Sequence, residues 1–330
     1  MKISEYAAPL MAAWQLTHDC DLACLHCCTL SAPGRKMPGE LSREEALELA
    51  DRLAQAQIPY VMLCGGEPTR VPHFLETAER LGRGGCWLKI ETNGQTLTQE
   101  MAARLSELPI RSVQISLDGA TEQTYGKMRP GANLDKAVGA CLLVRAHGMP
   151  LEITFAPAAF NIREAGRVIE LALSLGAFRL NTGKLMAVGR ARLLWERLHP
   201  SDEQYADFRR KLDRYREELA GRLELCYEPF SLEEDLAGRA AEPPGTLFIL
   251  PDGRVALSGG MSHAVADLRT QSVSEAWAAY QKAWLHSRVR ADVDRVAREG
   301  VFLGDPVRSH AWVPLSNDFP DGVPTGKETA

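Results

Sequence analysis

The chain has 330 residues, 45% hydrophobic and 25% charged, with a formal net charge of −5 and a pI near 6.0. That is material for one large domain or two ordinary ones with a sizeable core. With no basic excess, nucleic acid is excluded as the main partner, and no apolar run approaches the ~18–20 residues of a membrane span. The opening "MKISEYAAPLMAAWQLTHDC" has one early Lys and an interrupted apolar stretch. It reads as a first strand with a lead-in, not as a secretion signal. The expected compartment is the cytoplasm, where thiols persist and structural disulfides are rare.

Directly after that strand, "CDLACLHCC" (Cys20 to Cys28) concentrates four of the chain's eight cysteines. Adjacent Cys27 and Cys28 are poorly placed to pair with each other. Zinc could formally take Cys20, Cys24, Cys27 and Cys28, but structural zinc sites usually draw on two separated pairs, and no second pair follows. An iron–sulfur cluster on Cys20, Cys24 and Cys27, with Cys28 packed as a small hydrophobe, fits the spacing better. One iron is then left without a protein ligand.

Downstream, "LSREEALELADRLAQAQ" predicts an amphipathic helix opened by a capping box, Ser42 with Glu45. "YVMLCGGEP" is a short buried strand ending in a glycine turn. A helix around Phe74–Leu81, a strand "CWLKIETNG" and a helix near Gln99–Leu108 follow. Then come a strand "SVQISLDG", a helix over Leu134–His147, a strand "LEITFAP", a helix Ala165–Leu175 and a strand near Phe178–Thr182. Such alternation predicts a parallel sheet flanked by helices. The turns "CGGEPT", "ETNGQ", "SLDGA" and "NTGK" all fall at predicted strand C-termini and should converge on one mouth, the end where such folds carry their chemistry.

The Cx3Cx2C triad, followed by "GGEP" (Gly65–Pro68), "TNG" (Thr92–Gly94) and "SLDG" (Ser116–Gly119), resembles the radical S-adenosylmethionine (SAM) superfamily over roughly residues 10 to 200. It resembles in particular the branch with SPASM or twitch extensions. The resemblance implies an α/β fold, a partial (β/α)6 TIM-like barrel with a small α+β C-terminal cap. It also implies one [4Fe–4S] cluster on Cys20, Cys24 and Cys27, with SAM chelating the open iron, and an external one-electron donor such as flavodoxin or ferredoxin. By the same resemblance, Gly65 and Gly66 let the backbone approach the methionyl amine, and Glu67 sits near that ammonium. Ser116 and Asp118 contact the ribose or methionyl part, with Asn93 nearby. Arg129 lies close to SAM or substrate, and His26 occupies a place often held by an aromatic beside the adenine. Cys64 is expected to be a buried hydrophobe.

Three regions are expected: a core over 1–225, a degenerate SPASM-like cap over 226–313, and a flexible tail over 314–330. "TLFILPDGRVALSGG" predicts a hairpin at Asp252-Gly253, and the cysteine that would open an auxiliary cluster falls at or near Ser258. No cysteine occurs after Cys226. The expected substrate is a small polar metabolite. "FRLNTGKLMAVGRARLLWERLHPSDEQY" is similar to radical SAM cytosylglucuronate decarboxylases, which implies decarboxylation of a glucuronyl nucleoside. Lys184 and Arg190 are the candidate cations for its carboxylate, and Cys226 is a candidate hydrogen-atom donor should the reaction be an epimerisation. Ribosomal-peptide maturation is the alternative, against which stands the expectation that Cys20 lies too near the start to leave space for a leader-recognition domain. A metal-binding scaffold is the non-enzymatic alternative.

Overall fold

The computed structural model describes residues 5–299 and 313–315. Its strands are β1 (Met11–Gln15), β2 (Tyr60–Cys64), β3 (Trp87–Thr92), β4 (Ile110–Ser116), β5 (Leu151–Thr154), β6 (Arg179–Asn181), β7 (Glu224–Cys226), β8 (Thr246–Ile249), β9 (Arg254–Ser258), β10 (Met261–Asp267) and β11 (Val313–Pro314). They form one 11-stranded sheet in the order β11-β10-β9-β8-β1-β2-β3-β4-β5-β6-β7. From β1 to β7 every neighbouring pair is parallel. This is the expected partial barrel, with helices crossing between its strands.

The helices are α1 (Arg43–Gln55), α2 (Phe74–Arg83), α3 (Gln99–Ser106), α4 (Glu122–Met128), α5 (Leu134–Ala146), α6 (Ala165–Ser174), α7 (Gly189–Leu193), α8 (Trp195–Leu198), α9 (Asp202–Glu218), α10 (Leu232–Ala241), α11 (Val273–Ala283) and α12 (Ser287–Glu299). Helix α1 shows why the pattern reads well: Ser42 and Glu45 make the reciprocal capping box, and Ala46, Leu49, Ala50 and Leu53 bury one face. Truncating fully buried Leu53 to Ala would cost about 2–5 kcal/mol. None of the described helices is long and apolar enough to cross a membrane.

Strand β3 shows how the sheet serves two masters. Leu88 and Ile90 are buried in the main hydrophobic core, while Lys89 and Glu91 alternate to the other face. There Lys89 Nζ donates to Gln114 Oε1 at 3.0 Å on β4 and to Glu152 Oε2 at 3.1 Å on β5. Asn181 on β6 donates to the same two oxygens at 2.9 and 2.8 Å. A polar network therefore crosses the barrel interior from β3 to β6.

The proposed boundary after residue 225 falls inside β7, which pairs with β6. In the region expected to form the cap, β8 pairs in parallel with β1, and β9 and β10 continue from it antiparallel. The Asp252-Gly253 hairpin joins β8 and β9, with Asp252 Oδ1 accepting from Arg254 N at 3.2 Å. Ser258 ends β9 and its hydroxyl accepts from Gly260 N at 3.1 Å, a turn-closing role. Apart from Pro314 and Leu315, the expected tail lies outside the described residues.

Candidate active site

The C-terminal ends of β2–β6 open onto a cavity of about 580 Å³, lined by Cys20, Cys24 and Cys27 together with Gly65, Gly66, Asn93, Ser116, Asp118 and Arg129. Its size is ordinary for a ligand site. The three cysteines sit on a stretch without helix or strand, tied at its ends by a bridge between Asp19 and Ala32. Burial pushes the Cys20 thiol up to about 12 and the Cys24 thiol up to about 11. Loading a metal group must therefore displace protons from them.

Each sulfur has a polar neighbour. Leu22 N lies 3.4 Å and Asn93 Nδ2 3.8 Å from Cys20 Sγ. Arg129 Nη1 lies 3.5 Å from Cys24 Sγ, and Thr29 Oγ1 3.3 Å from Cys27 Sγ. Among the described residues no three His, Cys, Asp or Glu side chains are placed to hold a single metal ion. The donor set suits a larger group: three thiols on one cavity, each with a neighbour able to donate to thiolate charge, which is how hydrogen bonds tune iron–sulfur clusters.

Behind Cys24 lies a buried ion pair. Asp118 is fully buried; its Oδ1 accepts from Ala156 N at 2.8 Å and its Oδ2 from Arg129 Nε at 2.6 Å. Arg129, 6% exposed, is thereby aimed at the Cys24 sulfur. Asp118, expected at the ribose or methionyl part, lines the cavity, and its two oxygens also hold Arg129 and the β5 end. His26 packs against the pair, Nε2 lying 3.5 Å from Asp118 Oδ2 and 3.4 Å from Arg129 Nη2. Burial pulls its imidazole down to about 4, with the Arg129 and Arg190 charges adding to the effect against the opposing pull of Asp118. Its buried Nδ1 has no hydrogen-bond partner. Ser116 lines the cavity.

The "GGEP" turn also makes close contacts within the chain. A Cβ at Gly65 would strike the Thr17 carbonyl, and one at Gly66 the Asp19 carbonyl. Gly66 N donates to Thr17 O at 2.6 Å and Glu67 N to Asp19 O at 2.9 Å. The glycines thus let β2's turn dock on the chain entering the cysteine loop. Glu67, expected near the ammonium, lies outside the cavity lining and is fully buried. It accepts from Thr69 Oγ1 at 2.6 Å, Thr92 Oγ1 at 2.7 Å and Asn93 N at 2.8 Å, tying the first turn to the second. Burial pushes its carboxyl above the usual range despite those donors. Asn93 both closes its turn, accepting from Gln95 N at 2.8 Å, and reaches Cys20 and Asp21.

The three substrate-side candidates separate. Lys184 lines the cavity, its ammonium 5.1 Å from the Tyr205 ring centroid, with no acidic partner among the described residues. Arg190 is absent from the lining; its guanidinium donates to backbone carbonyls of the cysteine loop, so it is not available for a carboxylate. Cys226 is also absent from the lining, its thiol 3.4 Å from Glu224 Oε1, so it is misplaced as a hydrogen-atom donor. Cys28, expected to be packed away, is exposed on the cavity, and buried Cys64 borders it too. Sequence reasoning missed Glu91, Gln114 and Asn181 in the lining, and Leu232 and Asp235 from α10. Only alternation along β3 and β4 hinted at the first two.

Residues 14–172 match the Radical SAM superfamily model. This stretch, with its three-cysteine cavity, is a radical SAM domain, a family that uses a [4Fe–4S] cluster and S-adenosylmethionine. The mycofactocin maturase MftC of Mycobacterium tuberculosis is 36% identical over 198 residues, 60% of this chain and 50% of the maturase. The chain thus aligns with about half the length of that relative. A PqqA peptide cyclase of Streptomyces rochei is 27% identical over 308 residues, 89% of this chain and 84% of the cyclase. In fold, the crystal structure of Streptococcus suis SuiB bound to S-adenosylmethionine superposes with a TM-score of 0.67 at 13% identity, covering 86% of this chain and 70% of SuiB.

Proposed function

We propose that this chain is a radical SAM enzyme that takes a hydrogen atom from a polar substrate seated beside Cys20, Cys24 and Cys27. The observation that carries this reading is the meeting of three thiols with the Gly65-Gly66 turn and Asn93 on one cavity. When bound, a [4Fe–4S] cluster and S-adenosylmethionine supply a 5′-deoxyadenosyl radical, given one electron from a donor such as flavodoxin or ferredoxin. The chain's own part is to orient and to shield. Cys20, Cys24 and Cys27 would hold the cluster, and Asn93, Arg129 and Thr29 would offset their charge. Ser116 and Gly65-Gly66 would border SAM, while Phe155, Leu185 and Val188 keep water from the reacting atoms.

For the substrate, the ammonium of Lys184, without an acidic partner among the described residues, favours a carboxylate. Decarboxylation of a glucuronyl nucleoside, cytosylglucuronic acid, of the kind met in nucleoside-antibiotic biosynthesis, is the reading we put first. Hydrogen would leave C4′, the bond to the carboxylate would break to release CO2, and a further electron with protons from solvent would complete the sugar. A second reading is peptide maturation, favoured by the relatives named a maturase and a peptide cyclase, the latter aligned over 89% of the chain. Gln114, Asn181 and Ser231 suit backbone amides as well as sugar hydroxyls.

The test is mass spectrometry of anaerobically reconstituted, reduced protein with SAM and cytosylglucuronic acid. Deoxyadenosine and a product lacking CO2, appearing together and both lost in Cys24→Ala, support the first reading. Deoxyadenosine without that product removes this substrate and turns the search to peptides. A cluster without SAM cleavage would leave a metal-binding scaffold.

A further inference from the structure

We infer that Arg190 is a positioning residue for the cysteine loop, the pin of a strap made by the β6–α7 connection. The cysteines stand on a stretch that is itself neither helix nor strand, so no regular ladder pairs its carbonyls. Arg190 supplies several of them at once. Its Nη1 donates to Cys24 O at 2.6 Å, and its Nη2 to Leu30 O at 3.0 Å and Ser31 O at 2.9 Å. Its backbone N–H donates to Cys27 O at 2.8 Å. One residue thus grips the loop on both sides of Cys27.

The residue before it makes the grip possible. Gly189 has φ +54, and a Cβ there would collide with the carbonyl oxygens of Cys27 and Cys28. Only glycine lets the strap lie this close. The planar fork of Arg190 suits the task, because a lysine offers one point donor where three carbonyls must be reached together. Hydrogen bonds from a charged donor are stronger than neutral ones.

The strap also joins the two sides of the cavity. Residues 184–186 and Val188 line it, and the next two residues clamp the loop. Cluster geometry and the Lys184 wall are therefore one mechanical unit. Removing the Arg190 charge, which lies near Cys24, should also make a bound cluster harder to reduce, since reduction adds negative charge there.

This inference rests on the cluster reading for its spectroscopic arm, but its loop-ordering arm needs no metal. The experiment compares full-length wild type with Arg190→Gln, Arg190→Lys and Gly189→Ala, using Arg104→Gln on the exposed Glu79 pair as a control. Hydrogen exchange of amides 20–32 is followed in the metal-free chain. In reconstituted protein, iron loss to a chelator and the electron paramagnetic resonance spectrum of the reduced state with and without SAM are recorded.

Arg190→Gln and Gly189→Ala should speed exchange in the loop and iron loss at least about fivefold, with a changed spectrum. The control should match wild type. Arg190→Lys should restore reducibility but not loop protection. Loop exchange and iron loss in Arg190→Gln or Arg190→Lys equal to wild type would overturn the inference. Should Arg190→Gln not fold, Arg190→Lys alone decides by the same readouts. Wild type that binds no iron–sulfur cluster would fail the cluster reading, while exchange in the metal-free chain still judges the strap.

Discussion

Along the cysteine loop the polar groups are largely engaged with one another: Glu67 joins two turns, Asp118 holds Arg129, and Arg190 grips the loop's carbonyls. Around the rest of the cavity the pattern loosens. Lys184 lies against aromatic rings with no acidic partner among the described residues, and Met186 is 45% exposed. A closed network holds a geometry fixed; side chains with spare capacity wait for a ligand. The comparison teaches that common chemistry and particular substrate are built from different parts of one cavity.

The contrast can be broken at either end. Asp118→Ala should cause the largest change after loss of a cysteine, because it strands the Arg129 charge in a buried site. Urea denaturation of the metal-free chain should show about 3–5 kcal/mol of destabilisation. Lys184→Met should do the opposite: leave stability and iron content near wild type while weakening a carboxylated substrate about 10–100-fold, the loss of one charged hydrogen bond. Equal effects of Lys184→Met on iron binding and on substrate would contradict the division.

A subtler probe is Glu91, whose carboxyl is raised by burial. With its folded value above the unfolded one, the native chain binds the extra proton, so Glu91's contribution is present at low pH and fades as pH rises through the folded value. Melting of Glu91→Gln should therefore lose part of the wild-type decline above the ordinary carboxyl range. Identical pH profiles would remove that assignment. Cys226→Ala should have the smallest effect, activity within about twofold of wild type, because its thiol is outside the cavity lining. An activity collapse there would return Cys226 to the mechanism.

Much of this was legible because local signals coincide with tertiary need. The Ser42/Glu45 capping box, the buried alternation of β2 and β3, and the Asp252-Gly253 turn all sit where the patterns put them. Strand β7 was not legible: three residues, "ELC", carry no usable period. Helix α4 was missed although Thr121 caps it, since "EQTYGKM" contains an interior glycine and little periodicity. At the site, spacing favoured a cluster on three cysteines over zinc, and the resemblance to the radical SAM superfamily carried the assignment further. The work of Glu67 and Arg190 was not legible, because a sequence shows a charge but not which carbonyls and amides surround it. Gly65 and Gly66 were singled out for a close approach to a ligand, and their tight contacts within the chain are with Thr17 and Asp19.

The most direct measurement is SAM cleavage by anaerobically reconstituted wild type and by Cys20→Ala, Cys24→Ala and Cys27→Ala, with iron counted in parallel. The expected result is iron bound and deoxyadenosine released upon reduction in wild type, with both lost when any one of the three cysteines is replaced. Full cleavage surviving in any of the three variants, or iron-loaded wild type that never cleaves SAM, would contradict the assignment of the cavity.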